Sequence, residues 1–123
     1  MAGLTVDVAQ YVHEMKSGIS KADAYDLSEA LLMSTAEPVA DGEDSYVTPR
    51  KQGAGLANLK RASTSKAYLS VEGADAATPK ASIGASVTGT WSFTFSVHNL
   101  TSEQLSYSLD AAALSSLDRK SVV

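Results

Sequence analysis

The apolar period of this chain changes once, near Ser65, and that change limits what the chain can fold into more than any other feature. Up to about Thr35 the period is helical. Leu4, Val8, Val12 and Met15 fall at i, i+4, i+8 and i+11, one stripe of a helix, with Tyr11 beside it. Ser17-Gly18 ends that helix, Ser20 is a good N-cap for a second, and Asp23 places negative charge in its first turn. Ala24, Leu27, Ala30 and Leu31 continue the apolar face. The run Leu31-Leu32-Met33 makes the helix end apolar nearly all round, so it expects burial in something larger than a two-helix hairpin. Residues 37–58 are punctuated by Pro38, Asp41-Gly42, Pro49 and Gly53-Ala54-Gly55 and read as a long loop. A connection of that length is uncommon in a compact domain unless it packs onto other parts. Leu56 to Ala62 predicts a short helix.

After Ser65 the period is two. Ala67–Glu72 is a strand by this reading. Trp91, Phe93, Phe95 and Val97 alternate with Ser92, Thr94 and Ser96 as a half-buried strand. Leu105, Tyr107, Leu109 and Ala111 alternate with Ser106, Ser108 and Asp110 as another, with a turn at Asn99–Ser102 between them. Short strands at this spacing suggest an immunoglobulin-like or fibronectin type III-like sandwich. Only three or four are present where such a domain needs about seven. Half a sandwich buries little surface and leaves strand edges unpaired, which predicts a polypeptide that folds poorly or aggregates when isolated.

Composition removes several classes of function. Hydrophobic residues make up 44% and charged residues 20%, which is a globular composition and not that of a disordered tail. A net charge of −4 without any Lys/Arg cluster argues against nucleic acid as a partner. No apolar run approaches the roughly 20 residues of a membrane span. Met1–Val12 has no basic n-region and is interrupted by Asp7 and Gln10, so it is no targeting signal. With no cysteine, neither a disulfide scaffold nor a thiolate metal site can form.

Each residue that invites a chemical role has a plainer reading. A triad needs a nucleophile, a His and an orienting acid within reach of one another; His13 on a helix flank and His98 at a strand end lack such partners in the pattern. Gly53-Ala54-Gly55-Leu56-Ala57-Asn58 starts like a phosphate-binding loop, but it lacks the third Gly, a Lys-Ser/Thr pair and a preceding strand. Glycines that permit positive φ explain it better. Asp41, Glu43 and Asp44 do not have EF-hand spacing and read as a solvated acidic loop. Asn99-Leu100-Thr101 fits a glycosylation pattern short enough to arise by chance. Trp91, Phe93 and Phe95 could form a carbohydrate platform, but at strand spacing core is the expectation. No cofactor or metal site is expected.

The run Ala30-Leu31-Leu32-Met33-Ser34-Thr35-Ala36, followed by Pro49-Arg50-Lys51-Gln52-Gly53-Ala54-Gly55-Leu56, resembles one place in the subtilisin-like serine proteases, most of all the cell-envelope branch of lactocepins and C5a peptidases. In that family the nucleophile motif Gly-Thr-Ser-Met-Ala-x-Pro-x-x-Ala-Gly opens a long buried helix. A second helix ends in a Leu-Met-Ser-Thr-Ala-like run, and a loop leads to Ser-Pro-Arg-x-Gln-Gly-Ala-Gly, where the catalytic domain closes. A fibronectin-III-like module follows, with strands like Lys66-Ala67-Tyr68-Leu69 and Phe93-Thr94-Phe95-Ser96-Val97-His98-Asn99. The common order spans residue 2 to about residue 116.

The resemblance implies an α+β fragment. Residues 1–64 would be the C-terminal helices and closing loop of an α/β catalytic domain, and 65–117 a partial fibronectin-III-like β-sandwich. Residues 118–123, Asp118-Arg119-Lys120-Ser121-Val122-Val123, follow no strand pattern, resemble a translated sequencing adapter and read as a non-native tail. Ala2-Gly3 match only the end of the nucleophile motif, so the catalytic Ser would lie about six residues before Met1, itself an internal methionine, with the family's Asp and His further upstream. Structural positions of the resemblance are Ala2, Gly3, Pro49, Arg50, Gln52, Gly53 and Gly55, with Arg50 anchoring the closing loop to the catalytic core. Leu4, Val8, Val12 and Leu31 would pack beneath the catalytic domain's sheet. The chain itself would be catalytically incompetent. The parent would be a secreted or cell-wall bacterial endopeptidase acting on protein or peptide substrates, and the partner of this chain the rest of that protease. The competing expectation is a self-standing, non-enzymatic β-sandwich binding module.

Overall fold

A computed structural model of the chain describes residues 2–40, 42, 46–82, 84–85 and 87–110, apart from the side chains of Ala2 and Arg50. The fold is a small α+β arrangement. In chain order it has α1 (Ala2–Met15), α2 (Lys21–Ser34), α3 (Pro49–Gln52), α4 (Leu59–Ala62), β1 (Ala67–Val71) and β2 (Phe95–Asn99).

The two long helices form because their apolar residues recur at helical spacing and their ends are capped. Ser20 takes extended backbone geometry, and its Oγ accepts from the Asp23 N–H at 3.1 Å, satisfying one of the donors a helix start leaves free. Gly18, at φ 84°, supplies the left-handed residue that lets the chain leave α1 and turn back. At the far end of α2 the Thr35 N–H and hydroxyl both bond the Leu31 carbonyl. The antiparallel pair encloses Val8, Val12, Ala24, Leu27, Leu31 and Leu32, with Ala62 of α4 closing the cluster. Leu4, Tyr11, Ile19, Leu59, Tyr68 and Leu100 pack around its rim. The all-round apolar end of α2 is therefore covered within this chain: Leu31 and Leu32 are buried by α1, α4 and β1, and Met33 is half-buried.

Polar contacts fasten the helices to the second half of the chain. The Tyr11 hydroxyl donates to the Ser65 carbonyl at 2.7 Å, and the Leu69 N–H of β1 donates to Ser34 Oγ at the end of α2 at 3.0 Å. Within α2, Ser28 is wholly buried and satisfies its hydroxyl on the Ala24 carbonyl one turn back. Burial pushes the Tyr11 phenol above its ordinary value near 10, while the nearby charge of Lys66 works the other way.

β1 and β2 pair antiparallel, Ala67 opposite Asn99 and Val71 opposite Phe95, to give a two-stranded sheet. Three expectations are corrected here. The strand foreseen at Trp91–Val97 begins only at Phe95, and Leu105–Asp110 forms no strand at all; Ala111 lies outside the described residues. Trp91, Phe93 and Phe95, expected in a core, are 48%, 55% and 39% exposed. The alternation was real, but no second sheet covers the apolar side among the described residues.

Replacing Leu31 by Ala is expected to cost about 3 kcal/mol, and Ser20 by Ala about 1 kcal/mol, in urea unfolding followed by far-UV circular dichroism. Tyr11 supplies a pH signature. Its phenol is favoured protonated in the fold, so its contribution is complete below the unfolded value near 10 and is lost as pH rises through the higher folded value. Above pH of about 10 the wild-type chain should therefore lose stability more steeply than Tyr11→Phe, and ultraviolet difference titration between the two should place this tyrosine above the ordinary phenol.

Candidate functional site

Two places concentrate side-chain chemistry. The first is the long connection between α2 and α4, which packs as a closed loop. Glu37 and Leu56 exchange backbone hydrogen bonds of 2.9 and 2.8 Å, so the exit from α2 and the approach to α4 form a short antiparallel bridge. Ala40 and Tyr46 make a second one, with the Val47 N–H donating to the Val39 carbonyl. Gln52 sits inside the loop and ties both arms: its Oε1 accepts from the Val39 N–H at 2.6 Å and its Nε2 donates to the Val47 carbonyl.

Gly55 is the residue this geometry cannot replace. It lies at φ +120°, and a Cβ placed on it would meet the Glu37 carbonyl oxygen at 2.3 Å, well inside contact distance. Gly53, at φ +64°, has open space around it and is needed for its conformation alone. Pro49 takes the first position of α3, where its missing N–H costs nothing. Ala2 and Gly3 open α1. The side chain of Arg50 lies outside the described residues, as do Asp41, Glu43 and Asp44. Among the described cations it is Arg61 that holds this region. It bonds Glu37 Oε1 at 2.8 Å, while Asn58 Nδ2 approaches the other carboxylate oxygen at 3.4 Å. Nothing in the sequence pattern marked Glu37 and Arg61 as partners, since the chain between them must close before they meet.

The second place is the sheet, whose two faces differ. On one, Tyr68, opposite His98, stacks its ring on the imidazole with centroids 4.7 Å apart, and Ser70 Oγ lies 2.7 Å from His98 Nε2. A hydroxyl beside an imidazole is the start of a nucleophile–base pair. Among the described residues, however, no carboxylate bonds the other ring nitrogen, and the contact reads as a cross-strand polar pair. His13 stays exposed on α1. The other face carries Leu69, Phe95 and Val97. With the end of α2 and with Tyr107 and Leu109 it walls a predominantly apolar groove of about 660 Å³. Asn99 turns its amide into the following bend, donating to the Glu103 carbonyl and accepting from the Thr101 N–H.

Among the described residues no group of three or more His, Asp or Glu could hold a metal ion, and no helix is long and apolar enough to cross a membrane. No family model matches the chain, and no curated protein matches it at a significant level.

Gly55→Ala should release the Glu37–Leu56 bridge, at a cost of about 3 kcal/mol from the clash and the forced left-handed backbone. Hydrogen exchange should report it first at the Leu56 and Glu37 amides. Gln52→Ala should loosen Val39 and Val47 in the same experiment while leaving the amides of α1 and α2 protected.

Proposed function

We propose that this chain is a non-catalytic scaffolding segment of a subtilisin-like serine endopeptidase of the cell-envelope kind. In this reading residues 1–64 are the helical end of the catalytic domain with its closing loop, and 65–117 begin a fibronectin-III-like module. The observation that carries it is the seating of Gly55-Leu56 against Glu37, directly after Ser34-Thr35-Ala36. The more specific of the two stretches that resemble the family packs, through Gln52 and Gly55, onto Glu37 and Val39 just beyond the end of the other.

The chemistry of the parent would be peptide-bond hydrolysis by a Ser-His-Asp triad through an acyl-enzyme. In this segment the role is mechanical. α1 would begin shortly after the nucleophile and hold its loop by burying Val8 and Val12, and the loop tied by Gln52 would seal the domain edge before the chain passes into the next module. The uncovered Phe93, Phe95 and Val97 fit a sheet whose remaining strands come from other polypeptide. The parent would act on protein or peptide substrates outside the cell or at the bacterial wall. A second reading, a self-standing non-enzymatic binding module, is favoured by one observation: the helices and β1 already enclose Val8, Val12, Leu31 and Leu32 within this chain.

Genomic sequence in frame ahead of Met1 separates the two. A Gly-Thr-Ser-Met-Ala motif with its Ser about six residues upstream is the expected result. An upstream frame without it overturns the protease reading. The purified chain should neither hydrolyse casein-derived peptides nor be labelled by a serine-directed fluorophosphonate.

A further inference from the structure

The sheet has two edges, and the fold treats them differently. Backbone bonds join Glu72 to Thr94 and Leu100 to Lys66. By the alternation of an antiparallel ladder, the even-numbered residues of β2 bond to β1, and Phe95, Val97 and Asn99 turn their N–H and C=O groups outward. On the β1 side the equivalent outward group is engaged: the Leu69 N–H is taken by Ser34 Oγ, and the end of α2 lies along that edge. On the β2 side the outward backbone groups have no hydrogen-bond partner among the described residues. Natural edge strands are usually guarded by charge, proline or a covering segment. Here the sequence from Ala81 to Ser102 contains no Asp, Glu, Lys, Arg or Pro, so no charge repels an identical strand although the whole chain carries −4.

From this we infer that the chain self-associates through β2 into a closed, two-fold dimer. Laid antiparallel on its own copy about Val97, β2 brings the outward groups of Phe95, Val97 and Asn99 opposite those of Asn99, Val97 and Phe95 of the second copy, and every outward N–H meets a C=O. In that register the two Val97 side chains are direct neighbours and the apolar faces of both sheets join. Edge pairing packs Phe95 and Val97, 39% and 51% exposed in the single chain, beside their counterparts on the second copy. Because Ser34 and α2 block the outer edge of β1, the shared sheet ends at β1-β2-β2-β1 and cannot grow into a filament. The inference does not depend on the protease reading: an upstream frame without the nucleophile motif leaves it standing, and a monomer in solution leaves that reading untouched.

Sedimentation equilibrium of the full chain over a range of concentrations, paired with amide hydrogen exchange, tests it. Twice the monomer mass is expected, with the Phe95, Val97 and Asn99 amides protected only at concentrations where the dimer forms, and those of Ser96 and His98 protected throughout. Val97→Pro removes an outward N–H without touching the β1–β2 ladder, and Val97→Lys sets two charges face to face at the two-fold axis. Both should weaken the dimer at least about 10-fold while the Ser96 and His98 amides stay protected. A wild-type monomer at every concentration overturns the inference. So do oligomers larger than a dimer that persist in Val97→Pro, and a dimer in which the odd-numbered amides still exchange freely.

Discussion

Burial of Leu31 and Leu32 is the contact on which the remaining structure depends. These two side chains sit at the end of α2, where three different partners converge: Val8 and Val12 of α1, Ala62 of α4, and the first residues of β1. Removing so much aliphatic surface from water is the largest favourable term available to a chain of this size. It is also the term that draws distant segments together. α4 is only one turn long and β1 five residues, and neither would persist alone; both are held because they close this cluster.

The loop between α2 and α4 owes its shape to that same convergence. Once Ala36 leaves the helix and Asn58 must cap α4, the chain between them has to return to its starting point. It does so with few apolar contacts, so polar geometry carries the closure: the Glu37–Leu56 bridge, the Gln52 side chain spanning Val39 and Val47, and the Arg61–Glu37 pair. The ion pair is half-exposed and contributes modestly. Steric necessity does more. With the Glu37 carbonyl seated where a Cβ would be, Gly55 is the residue through which the loop passes.

The sheet is built on a different balance. It gains order where it touches the helices, through Tyr68, Leu100 and the Ser34–Leu69 bond, and loses it with distance from them. Beyond Glu72 the chain makes a long excursion without regular structure among the described residues and rejoins at Thr94, whose carbonyl accepts from the Glu72 N–H. The face of the sheet that carries Phe95 and Val97 keeps these residues in contact with water. A face of that kind is costly for a monomer, and it explains why the edge beside it favours a partner.

Part of the local structure, though not all of it, was legible in the sequence. Apolar spacing alone determines α1 and α2, the cap at Ser20 follows from its side chain and Asp23, and the change to period two locates β1. The need for glycine at residues 53 and 55 was also legible, as positive φ in a tight loop. Tertiary structure alone decided which faces are covered. Alternation at Trp91–Val97 states that one side is apolar, but burial is a property of what lies opposite, and strand pairing joins residues far apart in sequence. For the same reason Ser70 and His98, Ser34 and Leu69, and Glu37 and Arg61 could not be foreseen as partners: each depends on a register or a closure that exists only after the Leu31–Leu32 cluster has formed.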